Sequence, residues 1–144
     1  MSALETLTAS RSWRATPWDY NSTIGLRFSI DGLGDASFGY GQTIYAIIKC
    51  RFAIPQPGVL MLAYLDSPAY QRFRGFTPAA THGKREIPFE LTKGEVSGVE
   101  ANAGPFSYQW TLKLDRSPFP EELTLPAEPP LVYYGHKDEA KQSA

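Results

Sequence analysis

The chain is poor in the residues that most chemistries need. It has one cysteine, Cys50, among 144 residues, which excludes an internal disulfide framework and fits a reducing compartment. Its two histidines, His82 and His136, have no second histidine or cysteine close by. No metal-ligand spacing results, and both read as exposed side chains. Neither sign of charge dominates: 14 basic against 15 acidic residues leave a net charge of -1, so no field draws the protein to nucleic acid or an anionic membrane. The longest apolar run, VLMLAYL at 59–65, is too short to cross a bilayer as a helix. The opening MSALETLTASRSW has no basic start followed by an apolar stretch, so no secretory leader is expected and the chain reads as soluble and cytoplasmic.

Catalytic signatures are absent as well. GLGDASFGYGQ at 32–42 holds four glycines, but the third glycine of a dinucleotide-binding loop would fall at Ser37, and no Gly-Lys-Ser/Thr follows. The next stretch, QTIYAIIKCRF, is β-branched and aromatic, whereas a phosphate loop must open a helix. The glycine-rich stretch is therefore expected to connect two strands. A serine nucleophile would need a G-x-S-x-G elbow; the nearest string, GEVSG, puts Ser97 in the wrong register.

What the chain does have is aromatics (13%), twelve prolines and twelve glycines, the composition of short strands joined by punctuated turns. IGLRFSI alternates, with Ile24, Leu26, Phe28 and Ile30 on one face. TIYAIIKCRF sets Ile44, Ala46, Ile48, Cys50 and Phe52 together, and VLMLAYL is apolar on both faces. REIPFEL reads as an edge or bulged strand because of Pro88, with Lys93-Gly94 as a hairpin into EVSGVEA. FSYQWTLKL has the best alternation, with Phe106, Tyr108, Trp110, Leu112 and Leu114 on one side. LTL and LVYYG complete the set. The first seven residues and the tail from His136 carry no apolar pattern and are expected to be unordered.

Eight to ten such strands must bury their apolar faces on each other. The expectation is one all-β domain, a small up-and-down β-barrel, with a two-sheet β-sandwich as the alternative. Sequential short links favour the barrel, because closure removes exposed edges. The architecture resembles the lipocalin-like, or calycin, group, whose aromatic-lined barrels hold small apolar molecules. The glycine-x-tryptophan opening of true lipocalins is missing, since Trp13 follows Arg11-Ser12 and Trp18 follows Thr16-Pro17.

The functional expectation is a barrel that encloses a small, largely apolar organic ligand, lined by Phe28, Cys50, Tyr64, Tyr108, Trp110 and Tyr133, with no cofactor and no metal. The tyrosines and tryptophan bring polar tips onto apolar faces, where each needs a partner. The alternative is a cofactor-independent isomerase, cyclase or lyase that uses the same cavity, with Tyr108 and Tyr64 as proton or hydrogen-bond donors. A third reading makes YQRFRGF, with Arg72 and Arg74 among Tyr70, Phe73 and Phe76, a surface for a protein or single-stranded nucleic acid; the net charge argues against nucleic acid. Apolar surplus on the outer faces, at Tyr45 and Ile47, points to a homodimer.

Overall fold

The computed structural model describes residues 2–65, 83–100, 104–121 and 125–137. YQRFRGF and His82 lie outside the described residues, as does most of LTL. Eight antiparallel strands close into one ring in chain order: β1 (Trp13–Arg14), β2 (Gly25–Phe28), β3 (Leu33–Tyr40), β4 (Thr43–Gln56), β5 (Val59–Tyr64), β6 (Lys84–Glu100), β7 (Gly104–Leu114) and β8 (Val132–Lys137). β8 returns to β1 through the pair Arg14 with Tyr134. The all-β, up-and-down barrel expected from alternation is thus the fold. Among the described residues no helix is long and apolar enough to cross a membrane.

The glycine-rich stretch is a strand, not a connection. Its outer glycines turn the chain: Gly32 (φ 87°) and Gly41 (φ 64°) take left-handed backbone that glycine adopts without the Cβ penalty. Between them β3 pairs with both β2 and β4. At Gly39 a side chain would run into Thr23, and a register shift follows between Phe38 and Gly39. That shift explains a second difference: Ile44 is exposed, although alternation groups it with the buried Ala46, Ile48, Cys50 and Phe52. Ile30 likewise lies beyond the end of β2, in the turn, and is exposed.

Lys93-Gly94 is no hairpin either. β6 runs on to Glu100, absorbing the disturbance as a register shift between Lys93 and Val96. Beyond Tyr108, which pairs with Lys137, β7 has only β6 as a partner, so the far part of this hairpin extends past the ring. The segment expected to be unordered at the N-terminus holds a helix, α1 (Ala3–Ala9). Ser2 caps it: its hydroxyl accepts from the Glu5 N–H and donates to the Glu5 carboxylate, both at 3.1 Å, an N-cap that satisfies one first-turn donor. Nor is His136 the start of a tail, since β8 continues through it.

Inward positions follow the ladder. Trp13, Leu26, Ala36 and Ile48 form one cross-strand row, and Phe28, Gly34, Cys50 and Tyr64 another. Because strands in a closed barrel tilt, the second row climbs from the end of β2 to the opposite end at the close of β5. Trp13, Tyr133, Ile48, Leu60, Ile87 and Leu112 are fully buried, so side chains occupy the interior that these strands enclose. On β5 the outward Val59, Met61 and Ala63 are half-buried.

The chain closes both ends of the ring. At one end, where β1 starts and β8 finishes, α1 inserts the fully buried Leu7. At the other, residues 115–121 cross over from β7, and Phe119 packs edge-on against Phe38 with ring centroids 6.0 Å apart.

Candidate functional site

The expected ligand wall is spread over the barrel. Phe28 stacks edge-on against Phe52 at 4.9 Å near the helix end, a contact worth about 1 kcal/mol beyond its burial. Cys50 and Tyr64 are register partners. Burial, helped by the negative charge of Asp35, pushes the Cys50 thiol up to about 12, so it is an apolar filler and not a nucleophile at neutral pH. The Tyr64 hydroxyl donates to the Pro118 carbonyl at 2.7 Å, and the Tyr133 hydroxyl to the Pro130 carbonyl at 2.8 Å. Desolvation raises the Tyr133 phenol above its ordinary range. Both phenols therefore tie down the loop end.

Tyr108 belongs to a different group. It is buried but packs against Phe106 (5.9 Å) and Tyr134 (6.3 Å), apart from the main core cluster. Trp110 is half-buried and faces His136 at 6.1 Å. Tyr64 at the end of β5 and Tyr108 near the start of β7 stand at opposite ends of the ring, so the structure does not bring them to one reaction centre. No buried side-chain polar atom among the described residues lacks a hydrogen-bond partner.

A groove of about 420 Å³ lies on the outer faces of β1–β4. The register makes it. Gly25, Ser37 and Ile47 form one outward row, and its first two members are small, so they leave a depression as floor. Tyr20 and Ile44, both exposed, and the half-buried Ile47 supply apolar walls. The next row, Arg27 with Asp35, closes one end as a two-point ion pair, Nε to Oδ1 at 3.1 Å and Nη2 to Oδ2 at 2.8 Å. Asp35 holds the Arg27 guanidinium still more firmly protonated than usual, first by hydrogen bonding and then by charge. Arg14 stands opposite, its Nη2 donating to the carbonyls of Asp19 and Ser22 at 3.1 and 3.4 Å. The 16–22 turn that carries Tyr20 is itself fastened, since the Tyr40 hydroxyl donates to Asp19 at 2.8 Å.

Of these outward residues sequence reasoning singles out only Ile47, because alternation ranks positions by apolarity and the floor of a groove is defined by small side chains. It also passes over Trp13 and reads His136 as exposed, whereas the structure half-buries it. The Trp13 indole N–H donates to the Leu7 carbonyl at 3.0 Å, and His136 Nε2 meets the Thr6 carbonyl at 2.7 Å. Among the described residues no three of His, Cys, Asp and Glu come together as a metal site. No family model matches the chain, and no curated protein or solved structure matches it.

Proposed function

We propose that this barrel is a binding protein for a small, largely apolar organic molecule, held in the outer groove of β1–β4. The observation that carries the reading is the groove's build: about 420 Å³, within the ~300–1,000 Å³ of small-molecule sites, with mostly apolar walls and a few fixed polar groups at the rim. The bidentate Arg27–Asp35 pair offers a donor and an acceptor at one end, which orients a molecule with a single polar terminus. The interior offers less support for the same role, because its described positions are filled by Trp13, Tyr133 and aliphatic side chains.

The test is titration with N-phenyl-1-naphthylamine, an uncharged fluorophore of suitable size. Saturable binding at one site per chain is expected, weakened at least tenfold by the double substitution Ile44→Lys and Ile47→Lys. Ile44 is exposed and Ile47 half-buried, so folding should be preserved. Absence of saturable binding, or binding indifferent to both substitutions, overturns the assignment.

One observation favours a second reading on the same face. Tyr20, Tyr40 and Ile44 are all about half exposed and border or line the groove, an apolar surplus that a second copy of the chain would cover. Sedimentation at micromolar concentration separates the two: a mass that rises with concentration in the parent and not in the double-lysine variant supports the dimer.

A further inference from the structure

We propose that the helix end of the barrel is a second binding site, for a carboxylate carrying a short aliphatic chain, and that α1 occupies it in place of the ligand. A seven-residue helix is too short to hold itself together in water. At its N-terminus the Ser2 hydroxyl accepts from the Glu5 N–H, and carbonyls in its C-terminal half take partners from outside the helix. Two of them are met by the barrel wall, Leu7 by the Trp13 indole N–H at 3.0 Å and Thr6 by His136 Nε2 at 2.7 Å. A carbonyl can only accept, so Nε2 carries the hydrogen here. Two N–H donors thus meet oxygens from adjacent residues, and the Leu7 side chain is fully buried in the core. Oxygens on two donors with an aliphatic group in an apolar socket is the pattern a fatty carboxylate would reproduce.

The backbone is shaped around this arrangement. Gly135 leaves room for Trp13, since a Cβ there would lie 2.6 Å from the indole ring. His136 follows in left-handed backbone at φ 55°, a strained state that surrounding structure must enforce. That turn brings the imidazole in from β8, edge-on to Trp13 at 5.8 Å and beside Trp110 at 6.1 Å. The His136 backbone N–H donates to Ser10 Oγ at 2.8 Å, latching the residue that ends the helix. A carboxylate makes charge-assisted bonds to the same donors, stronger than those of a neutral carbonyl, and can displace α1, a seven-residue helix that lies between no two strands of the ring.

Octanoate is the probe, titrated into the full chain with amide hydrogen exchange and tryptophan fluorescence as readouts. At saturation the amides of residues 6–10 should exchange at least tenfold faster while strand amides are unchanged, and methyl octanoate should bind at least tenfold more weakly. Leu7→Ala, which weakens the self-occupant, should tighten octanoate several-fold. His136→Leu should weaken it at least tenfold, with His136→Gln, which retains an N–H, in between. The Ile44→Lys, Ile47→Lys variant should bind octanoate as the parent does, so failure of the groove leaves this site standing. Unchanged or slower exchange in α1 at saturation, looser binding in Leu7→Ala, or undiminished binding in a folded His136→Leu overturns the proposal.

Discussion

The two ends of the barrel are closed by the same device on different tethers. At each end, wall side chains donate to backbone carbonyls of the covering segment while one large apolar side chain drops into the core. At the loop end the donors are Tyr64, to Pro118, and Arg85, whose Nη1 reaches the carbonyls of Ser117 (2.8 Å) and Phe119 (3.0 Å); Phe119 fills the core. Arg85 Nη2 also pairs with Glu121 at 3.0 Å. At the helix end the donors are Trp13 and His136 and the plug is Leu7. The difference lies in the chain. Residues 115–121 lie between β7 and β8 in the chain and continue directly from β7, so lifting them pulls on a strand of the ring. α1 precedes β1 and joins it through Ser10–Ser12, so it lies between no two strands of the ring. One end is a fixed cap and the other a hinged one, and local opening should follow that difference.

Truncating the two plugs gives the largest contrast. Phe119→Ala should lower stability to chemical denaturation by about 3–5 kcal/mol, the range for a buried phenylalanine. It should raise exchange across the whole sheet, because the loop end opens only when the barrel does. Leu7→Ala should cost less, about 2–3 kcal/mol, with the largest increase in exchange in α1. Equal losses and uniform exchange in both variants would make the two ends equivalent.

The helix end is also where the backbone has least tolerance. Gly135→Ala sets a methyl group against a fully buried, rigid indole and should cost about 1–3 kcal/mol, as overpacking does. Gly94→Ala is the control: nothing lies within 4 Å of its Cβ position, and the thermal midpoint should not move. A tolerated Gly135→Ala would mean that Trp13 can shift, and the donor geometry under α1 would then be loose.

Sequence shows the ring better than its closures. Alternation in FSYQWTLKL and IGLRFSI is a local, period-two signal that a half-buried strand imposes, and with short links it was enough for an up-and-down barrel. β3 was hidden because its glycines look like turn residues, whereas Gly39 is there to admit Thr23 across the ladder. Only the neighbouring strand reveals that. α1 is too short to display a helical period, and its burial depends on Leu7 meeting a socket made by distant strands. His136 is placed by one left-handed residue at the end of β8, and the groove by small residues on two strands. Each of these is a non-local fact, written in register and not in pattern.

At the fixed cap a single hydroxyl can be removed cleanly. Tyr64→Phe keeps the ring and leaves the Pro118 carbonyl without the phenol that donates to it at 2.7 Å. The cost should be about 1–2 kcal/mol, read by urea denaturation. A neutral result would mean that water replaces the phenol, and the loop end would then be nearer to the hinged end than its tethers imply.

Between the two ends lies Cys50, and its titration gives the smallest and most specific effect. Burial raises the thiol from an unfolded value of 9.0 to about 12, so the folded state keeps a proton that the unfolded chain gives up. The sign follows: the thiol's contribution is fully present below pH 9 and is lost as pH rises from 9 toward 12, with a slope of at most about 1.4 kcal/mol per pH unit. The Tyr133 phenol, also raised by burial from 10.0, acts in the same direction but begins about one pH unit higher. Urea denaturation of Cys50→Ala against the parent, at pH 8, 9.5 and 10.5, separates them. Between pH 8 and 9.5 the parent should lose stability and the variant should not; above pH 10 both should fall, through Tyr133 and through Tyr40, whose phenol the hydrogen bond to Asp19 also raises. Because this depends on the mid-wall being dry and shut, the pH slope should survive Leu7→Ala, which opens only the hinged end. If Leu7→Ala flattens it, lifting α1 admits water as far as Cys50 and the hinged closure guards the whole interior.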